Sequence, residues 1–292
     1  MKFGISGDGG PGVGFARIGD FALEIENFGY DGIFLSDHIE NRGSFEPWTT
    51  LAYIAAKTTT LRLGTTVTPI PRYVPSHLAK IIANVDVLSN GRTIPGFGAG
   101  HRSNMFINFA PDGTYPEPQV KVAKYIEGLQ VILKLWTEME PNFRGKYYKL
   151  YDCDFSPKPV QKPYPPIWQG GGGPFILKMT AKYFNGWIGP TFGGVEVPTA
   201  EAYEAKVRKI REHAKEYNRD MSKFTFVVFG DMRDSAEMIE QYKTAGCQYY
   251  IVGLGGPVTS VGPGLKYKPL YTPQEYMDTV RNFAKEIIPS FI

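Results

Sequence analysis

Cysteine and histidine are scarce in this chain: Cys153 and Cys247, then His38, His77, His101 and His213, are all that 292 residues contain. The two cysteines lie far apart and share no metal-type or redox spacing, so they read as reduced structural thiols. No H-E-x-x-H, C-x-x-C, G-x-S-x-G or G-x-x-x-x-G-K-[ST] occurs. Metal-assisted hydrolysis, nucleotide hydrolysis and Ser or Cys nucleophiles thereby lose their usual signatures, and no metal is expected. Long apolar runs are missing too; none approaches the roughly 18–20 residues of a membrane span. The start, MKFGI, enters a strand-like run with no charged n-region, so the expected location is the cytoplasm. An excess of either charge is also lacking: 32 Lys and Arg stand against 29 Asp and Glu, a net +3, with no basic or acidic block. That makes nucleic acid and anionic membrane poor partners and leaves a small-molecule substrate.

Aromatic residues are plentiful, with 18 Tyr, 19 Phe and 4 Trp. Most belong to core packing, and some suit a pocket for a flat ligand. Glycine clusters near the start in FGISGDGGPGVG (3–14), where Gly7, Gly9 and Gly12 fit G-x-G-x-x-G after a candidate strand. With Asp37 closing the second strand, this is the pattern of an NAD(P)-binding Rossmann dehydrogenase. Two features oppose it. Pro11 and Gly14 interrupt the place where the first helix should begin, which makes the glycines a loop. The count of elements is also wrong for an open sheet.

Short β-rich runs alternate with longer helical patterns throughout. Strands are expected at 2–6, 32–36, 61–67, 93–97, 166–169, 186–189, 224–229 and 248–252. Helices are expected at about 16–28, 47–58, 75–89, 119–136, 174–184, 199–217, 234–245 and 272–288. Thr272-Pro273-Gln274-Glu275 offers an N-cap Thr, Pro at N1 and Glu at N3, and Asp234 with Glu237 is similar. Eight strand–helix units point to a (β/α)8 TIM barrel, a single domain over 1–292 with loop insertions at the C-terminal face. Three connections are long: 101–118, an insertion at about 137–165, and 254–271. Loops one, four and eight are expected above the barrel mouth, as a lid over a ligand.

In such a barrel the chemistry gathers past the C-terminal strand ends. Those ends carry Asp37-His38, Thr66-Val67, Gly98-Ala99-Gly100-His101 and Gly170 to Gly173. His38 and His101 are the histidines at strand ends, whereas His77 and His213 fall in expected helices. Glycines let main-chain N–H groups approach a ligand. Pro174, read as N1 of a helix, turns Gly172-Gly173-Pro174 into an anion site facing the dipole's positive end.

Taken in order, several stretches resemble the bacterial luciferase-like superfamily. They are GYDGIFLSDHI, TTLAYIAAKTTTLRLGTTVTPI, PSHLAKIIANVDVLSNGR, GFGAG, LQVILKLWT with FRGKYY, and PKPVQKPYPPIWQGGGGP followed by AKYFNGWI. The superfamily holds monooxygenases that use FMN and oxidoreductases that use the deazaflavin coenzyme F420. The resemblance implies an FMN- or F420-dependent oxidoreductase or monooxygenase. It implies Asp37, His38 and His101 as catalytic residues, with Asp37 also at the cofactor. It further implies Thr66, Val67, Gly98, Ala99, Gly100, Gly172, Gly173 and Pro174 as cofactor-binding residues. Thr66-Val67 matches a bulge often built on a non-proline cis peptide, and Gly173-Pro174 would meet the cofactor phosphate. Members acting on sugar phosphates carry Glu after the fourth strand's glycines, where this chain has His101. A homodimer and a separate flavin or F420 reductase are the partners implied. The rival reading from another class is a non-catalytic flavin-binding barrel.

Overall fold

The computed structural model describes residues 1–7, 17–38, 45–100, 103–189, 199–253 and 272–292. Parallel strands and helices alternate through them. The strands are β1 (Lys2–Ser6), β2 (Gly32–Leu35), β3 (Arg62–Thr65), β4 (Thr68–Pro69), β5 (Thr93–Ile94), β6 (Gly96–Gly98), β9 (Trp168–Gly170), β10 (Gly186–Gly189), β11 (Thr225–Asp231) and β12 (Tyr249–Gly253). The helices are α1 (Ile18–Asn27), α2 (Pro47–Lys57), α3 (Pro75–Leu88), α4 (Ser103–Phe109), α5 (Pro118–Thr137), α6 (Pro174–Tyr183), α7 (Ala200–Glu216), α8 (Ala236–Thr244) and α9 (Pro273–Glu286). A small antiparallel hairpin, β7 (Phe143–Arg144) with β8 (Lys149–Leu150), stands outside this alternation.

Two expected strands are each split, and the splits keep the count at eight staves. Stave three is β3 plus β4, broken at Thr66-Val67, whose peptide bond is cis. Stave four is β5 plus β6, broken at Pro95, which has no N–H to give a ladder. Closure is seen in the register. Leu63 pairs with Thr93 and Thr68 with Phe97, while β6 continues to β9, then β10, β11, β12, β1, β2 and back to β3. A ring of parallel staves has no edge and no switch point, which ends the open-sheet reading. Of the fingerprint glycines, Gly7 merely prolongs β1 by donating to the Phe34 carbonyl; Gly9 and Gly12 lie outside the described residues.

The barrel interior is aromatic. Phe34 and Trp168 stack with centroids 5.3 Å apart, and Tyr249 meets both edge-on, among Ile94, Ile188, Val227 and Ile251. Barrel layers are more often branched aliphatics. Rings fit here because neighbouring staves present glycine. A Cβ on Gly64 would fall 2.5 Å from the Phe34 ring, and one on Gly186 would fall 2.4 Å from Trp168. The second, larger core lies between barrel and helices, filled by Ile33, Leu51, Leu78, Leu129, Trp136, Trp187 and their neighbours.

Local rules account for the helix starts. Glu46 caps α2 by accepting from the Trp48 and Thr49 amides, and Thr272 with Glu275 closes a capping box on α9. At α8 the cap is Ser235, one residue later than expected. Asp234 is taken up by the Asp231 amide and the Tyr250 hydroxyl instead. The 137–165 insertion returns from α5 to β9 and anchors at the N-terminal rim, where Gln161 bonds to Asp86 and to the Thr93 carbonyl. Its hairpin sits on Glu127 of α5, which accepts from the Lys146, Tyr147 and Tyr148 amides. Loop four carries α4, a helix not read from SNMFINF in the sequence. Loops one and eight lie outside the described residues. Cys153 and Cys247 are both free thiols, the second buried.

Candidate active site at the barrel mouth

The C-terminal ends of staves two to five build one side of the mouth. At stave three, Val67 leans over the interior aromatics, half-buried against them. It can do so because its neighbours lack side chains: a Cβ on Gly98 would lie 2.6 Å from Val67 Cγ2, and one on Gly170 would lie 2.8 Å from Cγ1. The result is a small apolar floor. Beside it, the Thr66 hydroxyl is buried with no hydrogen-bond partner among the described residues. A buried polar atom left unpaired is costly, which makes this hydroxyl a candidate partner for a ligand's polar edge.

Stave two delivers Ser36, Asp37 and His38. Ser36 Oγ donates to the Thr66 carbonyl at 3.4 Å, tying the two strand ends together. His38 is half-buried and, among the described residues, is the histidine at a stave end; His77 is on α3 and His213 on α7. Asp37 is held in a manner that the sequence did not disclose. Arg72 donates from Nη2 to Asp37 Oδ1 and from Nη1 to the Asp37 carbonyl at 3.1 Å. Tyr73 donates its hydroxyl to Oδ2 at 2.8 Å and accepts from Arg72 Nη2 at 2.6 Å. The Arg72 and Asp37 side chains are 1% and 0% exposed. Burial pushes the Asp37 carboxyl upward against the opposing pull of Arg72 and Tyr73. Asp37 in turn holds the guanidinium protonated. Burial and the nearby carboxylate also push the Tyr73 hydroxyl up, so it stays neutral. The one available signal was an Arg-Tyr pair in the otherwise apolar TPIPRYVP, since a buried Arg needs an anion.

Staves four and five supply the glycines. Gly98 and Ala99 lead to Gly100, whose carbonyl accepts from Lys121 Nζ at 2.9 Å and whose φ is +78°. His101 lies outside the described residues. At stave five, Gln169 donates to the Phe97 and Gly170 carbonyls and accepts from the Tyr125 hydroxyl, which locks the two glycine ends together. Trp187 Nε1 donates to the Gly171 carbonyl at 2.7 Å and fixes the turn that follows. Gly172, Gly173 and Pro174 then open α6. Gly173 is its N-cap, without a side-chain cap bond, and a Cβ there would meet nothing within 4 Å. Pro174 at the first helical position has no N–H, so the amides of Phe175 and Ile176 are the ones this helix start leaves without an intrahelical partner, an arrangement suited to an anion. A groove of about 480 Å³ continues from this point, lined by Pro118, Gln119, Val122, Pro174, Phe175 and Ile176. The mouth thus offers an apolar floor, an unsatisfied hydroxyl, an imidazole beside a neutralised carboxylate, and an open helix start. Among the described residues no group of three or more His, Cys, Asp or Glu is placed to hold a metal ion.

The sequence profile of the luciferase-like monooxygenase family matches residues 1–286. The chain belongs to that family. One relative is an F420-dependent glucose-6-phosphate dehydrogenase of Kineococcus radiotolerans, 33% identical over 62% of this chain and 54% of that protein. Another is an F420-dependent hydroxymycolic acid dehydrogenase of Mycobacterium tuberculosis, 33% identical over 59% of this chain and 48% of that protein. The chain thus spans about half the length of these curated relatives. Among solved structures, an F420-dependent secondary alcohol dehydrogenase in complex with an F420-acetone adduct superposes with a TM-score of 0.79. It shares 18% identity and covers 100% of this chain and 99% of that one. At that identity the superposition speaks for the barrel alone. The luciferase-like barrel therefore places Thr66, Val67, Gly98, Ala99 and Gly100 along one arc of the mouth with Asp37 and His38. Gly172, Gly173 and Pro174 lie three staves round from His38.

Proposed function

We propose that this luciferase-like chain is an oxidoreductase that binds coenzyme F420 at the barrel mouth and acts on a small organic substrate. The observation that carries the reading is the floor: Val67 set over Gly98 and Gly170, with the buried Thr66 hydroxyl beside it lacking a partner. That surface fits the polar edge and flat face of a fused ring. The open start of α6 fits the phosphate of the same molecule, held by the amides around Gly172 and Gly173. Within a family that uses either cofactor, the F420-dependent relatives favour the deazaflavin over FMN.

When bound, the deazaflavin supplies hydride transfer. The chain's own part is to bind, orient and handle a proton. Val67 supports the ring and the Thr66 hydroxyl meets its polar edge. The imidazole of His38 takes or returns the proton of the substrate's reacting hydroxyl. Asp37, being fully buried, serves from beneath as an anchor. His101 follows the same glycines and is proposed as a second mouth residue. Residues 1–292 would act as one unit, in the cytoplasm, as a homodimer, with a separate reductase where the substrate does not itself reload the cofactor.

The test is a titration of the purified protein with F420 and with FMN, followed by absorbance, and then turnover with alcohols and sugar phosphates. F420 should bind at least tenfold more tightly than FMN, and its absorbance should bleach on adding a substrate alcohol. Binding of neither cofactor would refute the reading. Tight binding without any turnover would turn it into the non-catalytic barrel.

A further inference from the structure

The buried clamp on Asp37 reaches beyond the carboxylate. Arg72 Nη1 donates to the Asp37 main-chain carbonyl at 3.1 Å, while Nη2 and the Tyr73 hydroxyl hold the two carboxylate oxygens. The carbonyl of residue 37 and the amide of residue 38 share one rigid plane. A guanidinium that grips this carbonyl therefore fixes the peptide from which His38 grows. Arg72 is itself packed in place: its planar group lies 4.7 Å from the Tyr73 ring centroid, and it sits in a 3₁₀ turn (Ile70–Arg72) directly ahead of α3. The other flank is fixed as well, by Ser36 Oγ on the Thr66 carbonyl and the Thr66 amide on the Leu35 carbonyl at 2.9 Å. An ion pair serving stability alone needs only the carboxylate. The bond to the carbonyl is the part that positioning uses.

We propose that Arg72 and Tyr73 are positioning residues for His38: together they hold the Asp37–His38 peptide plane and set where the imidazole stands at the mouth. This rests on the reading of His38 as the proton-handling group. The charged and titratable groups facing Asp37 are Arg72, Tyr73 and Glu46, the last at the start of α2.

Tyr73→Phe removes one donor at little change in volume, and Arg72→Lys keeps the charge but loses the planar fork. In the cofactor-free protein the His38 ring is followed by ¹H–¹⁵N correlation across pH, its signals assigned by their loss in His38→Gln. In the parent those signals should carry an acid-side inflection imposed by Asp37. In Tyr73→Phe that inflection should move to higher pH by about half a unit or more, because the buried carboxylate loses a donor favouring its charged form. Arg72→Lys should move it in the same direction. Loaded with F420, both variants should bind the cofactor within about threefold of the parent while turnover falls at least about tenfold. Thermal midpoints report whether each variant is folded. Folded variants whose His38 signals and turnover both match the parent overturn the proposal. Should the parent take up no F420, the proposed function fails, and the imidazole titration still decides the clamp.

Discussion

Arg72→Met is the perturbation whose consequence can be worked furthest. It leaves the Asp37 carboxylate buried, with one oxygen on Tyr73 and no cation against it. Removing one partner of a buried pair costs about 3–5 kcal/mol, far more than a surface pair is worth. Across 292 residues the unfolding entropy is about 0.6 kcal/mol/K, so the thermal midpoint should fall by about 5–8 °C. The loss should also depend on pH. Burial already raises the Asp37 carboxyl, and without Arg72 it rises further, above the roughly 3.9 of an unfolded Asp. A group raised on folding contributes its stability below the unfolded value and loses it as pH climbs through the folded one. The deficit should therefore be small near pH 4 and grow toward neutrality. Asp37→Leu combined with Arg72→Met removes the stranded charge and should recover part of the loss. The assay is thermal unfolding of parent, single and double variants between pH 4.5 and 7.5. A deficit that is constant over that range, or a double variant no better than Arg72→Met, would refute the argument.

Three further outcomes are expected. Gly173→Asp should leave the fold intact, since a Cβ there meets nothing and Asp is a good N-cap at φ −71°, ψ 154°; cofactor affinity should drop at least about tenfold by titration, as a carboxylate takes the anion's place. His38→Ala should bind F420 almost as the parent does while single-turnover rates fall by about 10²–10⁴; equal rates would leave His38 with a structural role. Trp168→Ala, which empties the stack on Phe34 and the edge contact with Tyr249, should cost about 3–5 kcal/mol in chemical denaturation, and a loss under about 1 kcal/mol would mean that the barrel interior collapses to fill the space.

The alternation of strand and helix signals was enough to set the eightfold count, because each period is local: two residues for a strand, 3.6 for a helix. Pro174 after its glycines and the capping box at Thr272 were legible for the same reason, since caps and turns are decided within a few residues. The candidate floor was partly legible through the family resemblance, which singled out Thr66, Val67 and Gly98 but not Gly170. The close packing of Val67 on Gly98 and Gly170 was not, for it joins three staves that are distant in sequence. Nor could sequence pair Asp37 with Arg72 and Tyr73, 35 and 36 residues on. From the sequence, Asp37 was a catalytic and cofactor-facing carboxylate beside a histidine; burial and a guanidinium make it the anchor of a peptide plane. The same holds for the interior rings: Gly64 and Gly186 look like strand weaknesses until closure brings Phe34 and Trp168 against them. Local chemistry fixes which elements form and where they begin, whereas desolvation and close approach exist only once the barrel has closed, and those two effects decide the roles of the residues at its mouth.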